Sequence, residues 1–493
     1  MRAGILLHIS SLQSPYGIGT LGKEAYRFVD FLKSSEQSYW QILPINPTSI
    51  GDSPYQSPSV FAFNPYFIDL DFLVNEKLIN KSDLEKIEKF NNSEKVPYGY
   101  LFETRMEILK LAYNNFSIYE EMYFDFKTKN RKWIFSYGVF CFLKEKHGYV
   151  SWNNWPDEYR FVNLAKVEKI YEENKIEIER IMFVQFLFYK QWSDLKTYAN
   201  ENGVKIIGDI PIYVAYDSVD VWLNPDLFEL DSKKLPKSVA GCPPDDFAKK
   251  GQLWGNPLYD WEYIKKTNYK WWIERMNQAM ELFDIVRIDH FRGFSAYYSI
   301  KYGNKTAVKG KWIKGPGAEL FRVIEKNTTR LDVIAEDLGF IDDDVVNMLW
   351  ETGYPGMKIF QFEISETADA TIERFKNFSK NTVLYTGTHD NLPIVAWYNK
   401  LDKKYKKVLK QFLGYNGNKV HEAIIKCCYQ ANSKIVIIPL QDFLGLDEKA
   451  RMNIPSTLEG NWLYRVNKND LSKSLTKKIK EITEEYGREQ SVM

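Results

Sequence analysis

Three stretches of this chain end an apolar, β-branched run in acidic residues: "VRIDHF" (286–291), "VIAEDLG" (333–339) and "YTGTHDN" (385–391). In the first, Val286 and Ile288 read as buried strand, yet Arg287 and Asp289 interrupt it. A charge in a buried strand is costly unless it is paired. Side chains alternate along a strand, so Arg287 and Asp289 share a face. The pairing predicts that the arginine holds the aspartate ionised, because a cation beside a carboxyl lowers its pKa. An ionised, oriented carboxylate is what a nucleophile requires. Glu336 and Asp337 leave the second run, and His389 and Asp390 leave the third. Acids converging from neighbouring strand ends are the equipment of glycosidic-bond chemistry, in which one carboxylate attacks or stabilises the anomeric carbon and another donates a proton. The pattern does not choose between Glu336 and Asp337. A lone acid at a strand end is more often a helix cap or a rim ion pair. Three such positions, together with Arg287, His290 and His389, point to a site. The acids at 342–344 precede "VVNMLWETG" and read as helix capping rather than a metal site. Asp209, in "GDIPIYV", reads as a hydrogen-bonding residue of the rim.

These residues must be carried by a scaffold that gathers strand ends. Eight short apolar runs occur along the chain, at 4–10, 39–47, 204–214, 284–291, 332–339, 357–363, 382–391 and 434–442. Several follow a helical pattern, such as "NYKWWIERMNQAMELF" before the fourth. Strands alternating with helices predict a parallel sheet, and eight units with polar C-terminal ends predict an α/β fold, a (β/α)8 barrel spanning 1–493 as one catalytic unit. The spacing is uneven. Between the second and third runs lie roughly 150 residues, more than a crossover needs. Helical periodicity in "YLFETRMEILKLAYNNF" and "NKIEIERIMFVQFLFYKQWSDLKTYANENG" marks a mainly helical insertion at 65–180, with the last segment returning to the barrel. A second excursion at 215–262, rich in Pro, Gly, Asp and Trp, reads as an irregular loop over the barrel mouth.

Bulk properties narrow the class. Net charge is +1 over 493 residues, so there is no electrostatic footprint for nucleic acid or an anionic membrane. The N-terminal apolar run is too short for a signal peptide, and no window reaches transmembrane length, which predicts a cytoplasmic protein. The four cysteines have no CxxC spacing and no histidine pair beside them, so neither zinc nor another metal is expected. Aromatic content is 16%, with 14 Trp and 32 Tyr, an excess that suits stacking on the apolar faces of sugars.

Longer stretches carry a resemblance. "GILLHISSLQSPYGIGTLG", "WQILPINPTSIGDSPYQSPSVFAFNPYFIDL", "GDIPIYVAYDSVDVW", "GQLWGNPLYDW", "VRIDHFRGF", "VIAEDLG", "GTHDN" and "RMNIPSTLEGNW" run from residue 4 to 462. Together they resemble the 4-α-glucanotransferases, or amylomaltases, of glycoside hydrolase family 77. The resemblance implies that Asp289 is the nucleophile, Glu336 the general acid/base and Asp390 the transition-state stabiliser. Arg287, His290 and His389 resemble residues that orient the nucleophile and hold the reacting sugar. Tyr55, in "DSPYQS", resembles the aromatic flanking that sugar, and Ser53 and Asp209 join the substrate-binding set. Gln252 and Trp254, in "GQLWGN", resemble acceptor-side residues, and Asn461 a residue near the rim. One position departs from the pattern: after Asp245, where relatives often carry an aromatic, this chain has Asp246.

The implied reaction is a retaining double displacement between α-1,4-glucans, with malto-oligosaccharides as partners and neither cofactor nor obligate protein partner. An α-amylase-type hydrolase would use the same acids with water as acceptor. A non-catalytic glucan-binding protein has no need of the acid trio, and a metal-dependent barrel enzyme would need ligands that the sequence does not cluster.

Overall fold

The computed structural model describes residues 1–49, 51–91, 93–244 and 248–490. Its strands are β1 (Arg2–Leu6), β2 (Tyr39–Gln41), β3 (Lys205–Pro211), β4 (Ser238–Cys242), β5 (Gln252–Pro257), β6 (Ile285–Asp289), β7 (Ala296–Lys301), β8 (Gly310–Lys314), β9 (Val333–Ala335), β10 (Gly356–Ile359), β11 (Thr382–Tyr385) and β12 (Ile435–Pro439). Eight of them close into a barrel in the order β1-β12-β11-β10-β9-β6-β3-β2, every pairing parallel. This is the (β/α)8 architecture. Strands covered on both faces carry continuous apolar runs instead of alternation. That is why "IVIIP" of β12 is buried at every position.

Each strand is shorter than the apolar run that announced it. The run at 39–47 pairs only over Tyr39–Gln41, and "LPINP" leaves the sheet, since proline cannot donate to a ladder. The same holds at 332–339 and 382–391, where β9 ends at Ala335 and β11 at Tyr385. The residues released at these C-terminal ends are the ones with chemistry, as barrel enzymes require.

Between β2 and β3 the chain is largely helical, including Tyr98–Leu111, Glu120–Lys129, Arg131–Lys146 and Leu164–Glu173. The last helix, Lys175–Glu201, runs unbroken through position 180 and returns to the barrel. Its Trp192 donates to the Leu282 carbonyl at 3.1 Å and its Asn200 to Asp284 at 2.9 Å, just ahead of β6. Over the mouth, β4 and β5 join β7 and β8 in an antiparallel sheet ordered β5-β4-β7-β8. Reading 215–262 as irregular therefore misses two strands. They pair with each other, and β4 also pairs with β7, which lies beyond that segment, so no local pattern records the sheet. Asp246 falls outside the described residues. None of the described helices is long and apolar enough to cross a membrane.

Close packing between the barrel and its covering helices depends on small residues. A Cβ on Gly208 of β3 would lie 2.2 Å from ring atoms of the buried Phe283. Overpacking of this kind costs about 1–3 kcal/mol. Gly208→Ala is expected to lower the stability measured by chemical denaturation by that amount, and a stability equal to wild type would contradict the packing described.

Candidate active site

The barrel register aligns Asp209 of β3 with Arg287 of β6. The Arg287 side chain is 4% exposed, and its Nη1 lies 2.6 Å from Asp209 Oδ2 and 3.1 Å from Asp289 Oδ1. Alternation along β6 thus turns both charges to one side, while Val286 and Ile288 are fully buried in the apolar core. Asp209 is closed off from solvent and also accepts from the Tyr55 hydroxyl at 2.8 Å. It braces an arginine and a tyrosine at once.

Directly after β6, His290 adopts a left-handed backbone with φ of 52°. Such a conformation is uncommon in a residue with a side chain and occurs where the surroundings require it. Here it aims the His290 amide at Glu336 Oε2, 2.6 Å away. The other oxygen, Oε1, accepts from the Leu338 amide at 3.1 Å. Asp337 is directed elsewhere: it accepts from the Met357 amide at 2.6 Å. A Cβ on Gly356 would come within 2.5 Å of that carboxylate, so a glycine at the start of β10 makes room for it. The structure therefore separates two neighbours that the sequence pattern left equivalent. Glu336 faces the Arg287 cluster and Asp337 ties β9 to β10.

Asp390 lies in the segment after β11, its side chain 44% exposed. Its Oδ1 accepts from Asn453 at 2.6 Å and lies 3.3 Å from His389 Nε2. Its carbonyl accepts from Arg451 at 2.6 Å, and the Asn453 amide donates to the His389 carbonyl at 3.0 Å. Sequence reasoning missed Arg451 and Asn453. Both stand in "RMNIPSTLEGNW", from which only Asn461 was taken. Asn461 is turned into its own loop, accepting from the Ile454 amide at 2.8 Å and donating to Thr457.

Aromatic rings line the rest. Tyr55 stacks on His389 with centroids 5.1 Å apart, and Trp462 lies 5.8 Å from Tyr55. Ser53 accepts from the Tyr55 amide at 3.2 Å and shapes the turn that delivers the ring. On β5, Gln252 accepts from the Trp254 indole at 3.1 Å, and Trp254 meets the His290 ring edge-on at 4.8 Å. His290 Nε2 is buried without a hydrogen-bond partner, so it is a polar atom available to a ligand.

Burial governs the electrostatics. It pushes the Asp289 carboxyl well above its usual range, against the opposing pull of Arg287, and the charge of Glu336 adds to the rise. The expectation that Arg287 alone settles the ionisation of Asp289 therefore needs correction, because desolvation is the larger effect. Glu336 is raised by burial too, with Arg287 and the His290 amide opposing. His290 is lowered to about 3 by burial and by Arg292, and His389 is lowered by burial, so both rings are neutral at pH 7. Asp342 caps its helix by accepting from the Val345 amide at 3.0 Å, as the acidic run predicted. Among the described residues no group of three or more His, Cys, Asp or Glu is arranged to hold a metal ion.

A closed parallel barrel with carboxylates, neutral histidines and aromatic walls at its C-terminal rim defines a barrel enzyme of carbohydrate chemistry. The comparisons specify it further. A family model described as 4-alpha-glucanotransferase matches residues 7–471. A 4-alpha-glucanotransferase of Clostridium butyricum is 45% identical over 98% of this chain and all of its own length. One from Aquifex aeolicus is 42% identical over 99% of each. The structure of an amylomaltase from Streptococcus agalactiae in complex with acarbose superposes with a TM-score of 0.94 at 41% identity, over 99% of both chains. The chain belongs to the 4-alpha-glucanotransferase family, glycosyltransferases acting on α-glucans.

The Arg287–Asp209 contact carries a stability consequence. Removing one partner of a buried ion pair strands the other charge, at about 3–5 kcal/mol. Arg287→Ala is expected to cost that much in urea denaturation, and a loss under about 1 kcal/mol would mean that the pair is solvated.

Proposed function

We propose that Asp289, Glu336 and Asp390 carry out the transfer of α-1,4-glucan segments by this chain. The carrying observation is the cation in contact: Arg287 sits 3.1 Å from Asp289 Oδ1, while the neighbouring Glu336 is held by backbone amides. Burial raises both carboxyls, and the direct contact of Arg287 with Asp289 is our ground for placing the one charge of the reacting pair on Asp289 and the proton on Glu336. Glu336 gives its proton to the glycosidic oxygen as Asp289 attacks the anomeric carbon. The C–O bond to the leaving sugar breaks and a covalent glucosyl-enzyme forms. Glu336, now ionised, takes the proton from the 4-hydroxyl of an incoming glucan, whose oxygen displaces Asp289 and restores an α-1,4 bond. Bonds broken and formed are equivalent, so the cycle needs no external energy source.

Asp390, oriented by Asn453, and the neutral His290 and His389 are read as holding hydroxyls of the reacting sugar. The ring of Tyr55, stacked on His389, gives that sugar an apolar wall. Gln252 and Trp254 are read as acceptor-side residues, since β5 brings Trp254 against His290. Ser53, Asp209 and Asn461 shape the surroundings from positions within hydrogen-bonded turns and pairs. The mouth sheet supports transfer over hydrolysis, because covering the glucosyl-enzyme limits access of water. We read 65–180 as a mainly helical insertion on a single catalytic unit and 215–262 as the segment carrying the mouth loop. A cytoplasmic location fits the low cysteine count of four.

Incubation with maltotriose tests the reading. A ladder of longer glucans plus glucose, at constant reducing-end count, is expected; rising reducing ends mean hydrolysis. Asp289→Asn is expected to lose nearly all turnover with the fold intact. Retention of a tenth of wild-type activity would remove Asp289 from the role of nucleophile.

Both carboxyls are raised, so kcat/KM is expected to be bell-shaped in pH, with both limbs above the range of free Asp and Glu side chains. Below the lower limb Asp289 is protonated and cannot attack. Above the upper limb Glu336 has lost the proton it must donate. Glu336→Gln is expected to lower turnover by about 10²–10⁴-fold. With a donor whose leaving group needs no acid, it should recover only the first step and lose the alkaline limb of that step. Finding this behaviour in Asp337→Asn, and not in Glu336→Gln, would reverse the assignment.

A further inference from the structure

Asp442 is a fully buried carboxylate (1% exposed) in the short helix Leu440–Phe443 that follows β12. Its two oxygens reach the two ends of one segment. Oδ2 accepts from the Thr386 hydroxyl at 2.5 Å, and Oδ1 accepts from the Ile394 amide at 2.7 Å. Thr386 directly follows β11, and Ile394 opens the next helix. Between them lie His389 and Asp390.

Gln361 holds the same segment by donating to the Leu392 carbonyl at 2.7 Å, and Tyr55 stacks on His389. A cavity of ≈30 Å³ lies behind the segment, lined by His8, Thr388, His389, Gln441 and Asp442 among others. Hydrogen bonds therefore carry much of the support on that side. From above, Arg451 and Asn453 hold Asp390 itself. Gln441, beside Asp442, donates to the Ala450 carbonyl at 3.3 Å and joins the two restraints. Much of the setting of Asp390 is thus supplied by the chain after β12.

We infer that Asp442 is a positioning residue for the reaction: by gripping Thr386 and Ile394 together it fixes the segment that presents Asp390 to the reacting sugar. The inference rests on the reading of Asp390 given above. Burial pushes the Asp442 carboxyl up to about 6 from an ordinary 3.8, so the folded protein holds that proton more tightly than the unfolded chain, and stability falls as pH rises across that window. At neutral pH the group is ionised, accepts two hydrogen bonds, and has the geometry of a clamp.

The test compares Asp442→Ala, Asp442→Asn, Thr386→Val and Asp390→Asn with wild type, by steady-state kinetics on maltotriose and by hydrogen exchange of the peptide covering 386–394. Asp442→Ala removes both grips. It is expected to lower kcat about 10- to 100-fold, as displacement of a preorganised group does, to change KM less than about twofold, and to speed exchange in that peptide alone. Asparagine keeps the shape, can accept from the Ile394 amide, and can donate to a rotated Thr386 hydroxyl, so it is expected to restore most of the lost kcat. Asp442→Ala with wild-type kcat overturns the inference. So does a loss that falls on KM alone, or an Asp442→Asn as impaired as the alanine variant. If Asp442→Ala does not fold, Thr386→Val decides: a several-fold fall in kcat at unchanged KM supports the grip, and wild-type kcat overturns it. An active Asp390→Asn would instead remove the reading on which the inference rests.

Discussion

The structure of this site depends on one buried cation. Arg287 lies inside a closed barrel with its side chain 4% exposed, where a guanidinium cannot shed its charge and must be met by carboxylates. Asp209 answers it from the adjacent strand at 2.6 Å and Asp289 from two residues along at 3.1 Å. Around this triad the other elements take their places. Tyr55 reaches Asp209 from the segment after β2, and through its ring supports His389 from the segment after β11. A single ion pair therefore ties together segments separated by hundreds of residues in the chain.

That arrangement also sets the chemistry. If Arg287 faced Asp209 alone, Asp289 would be a buried acid with every reason to keep its proton. If it faced Asp289 alone, both would lie open to rearrangement. Shared between them, the guanidinium is immobilised by one carboxylate and polarises the other. Burial still raises both Asp289 and Glu336. The consequence is a pair of carboxyls that both hold their protons more tightly than free side chains do, which suits a retaining mechanism that must give and take one proton. Neutral histidines suit the same environment, since a second and third cation in this space would oppose Arg287.

The surrounding loops follow a different logic. Glu336 is aimed by a strained backbone at His290, and Asp390 by hydrogen bonds from beyond β12. Neither is held by packing of its own side chain. Orientation is supplied by backbone amides and by neighbouring side chains, which fix the partly exposed carboxylate of Asp390 at the barrel rim.

Much of this was legible in the order of residues. Eight apolar runs with polar ends specify a parallel barrel because strands buried on both faces have no other composition, and the spacing of Arg287 and Asp289 specifies a shared face because alternation has a period of two. The acidic run before "VVNMLWETG" specified a helix cap, since the first turn's free amides need an acceptor within reach. These are local consequences of local sequence. What only the tertiary structure decided involves partners far apart in the chain. Glu336 and Asp337 are adjacent and chemically alike, and only the position of Met357 and the amide of His290 separates them. The mouth strands β4 and β5 pair with each other, and only the pairing of β7 with β4 builds them into a sheet. Burial outweighs Arg287 at Asp289, and burial is a property of the closed barrel, absent from any short stretch of residues. Arg451, Asn453 and Asp442 gain their meaning solely because β12 pairs beside β11, bringing their polar groups within hydrogen-bond distance of a segment 48 to 63 residues earlier in the chain.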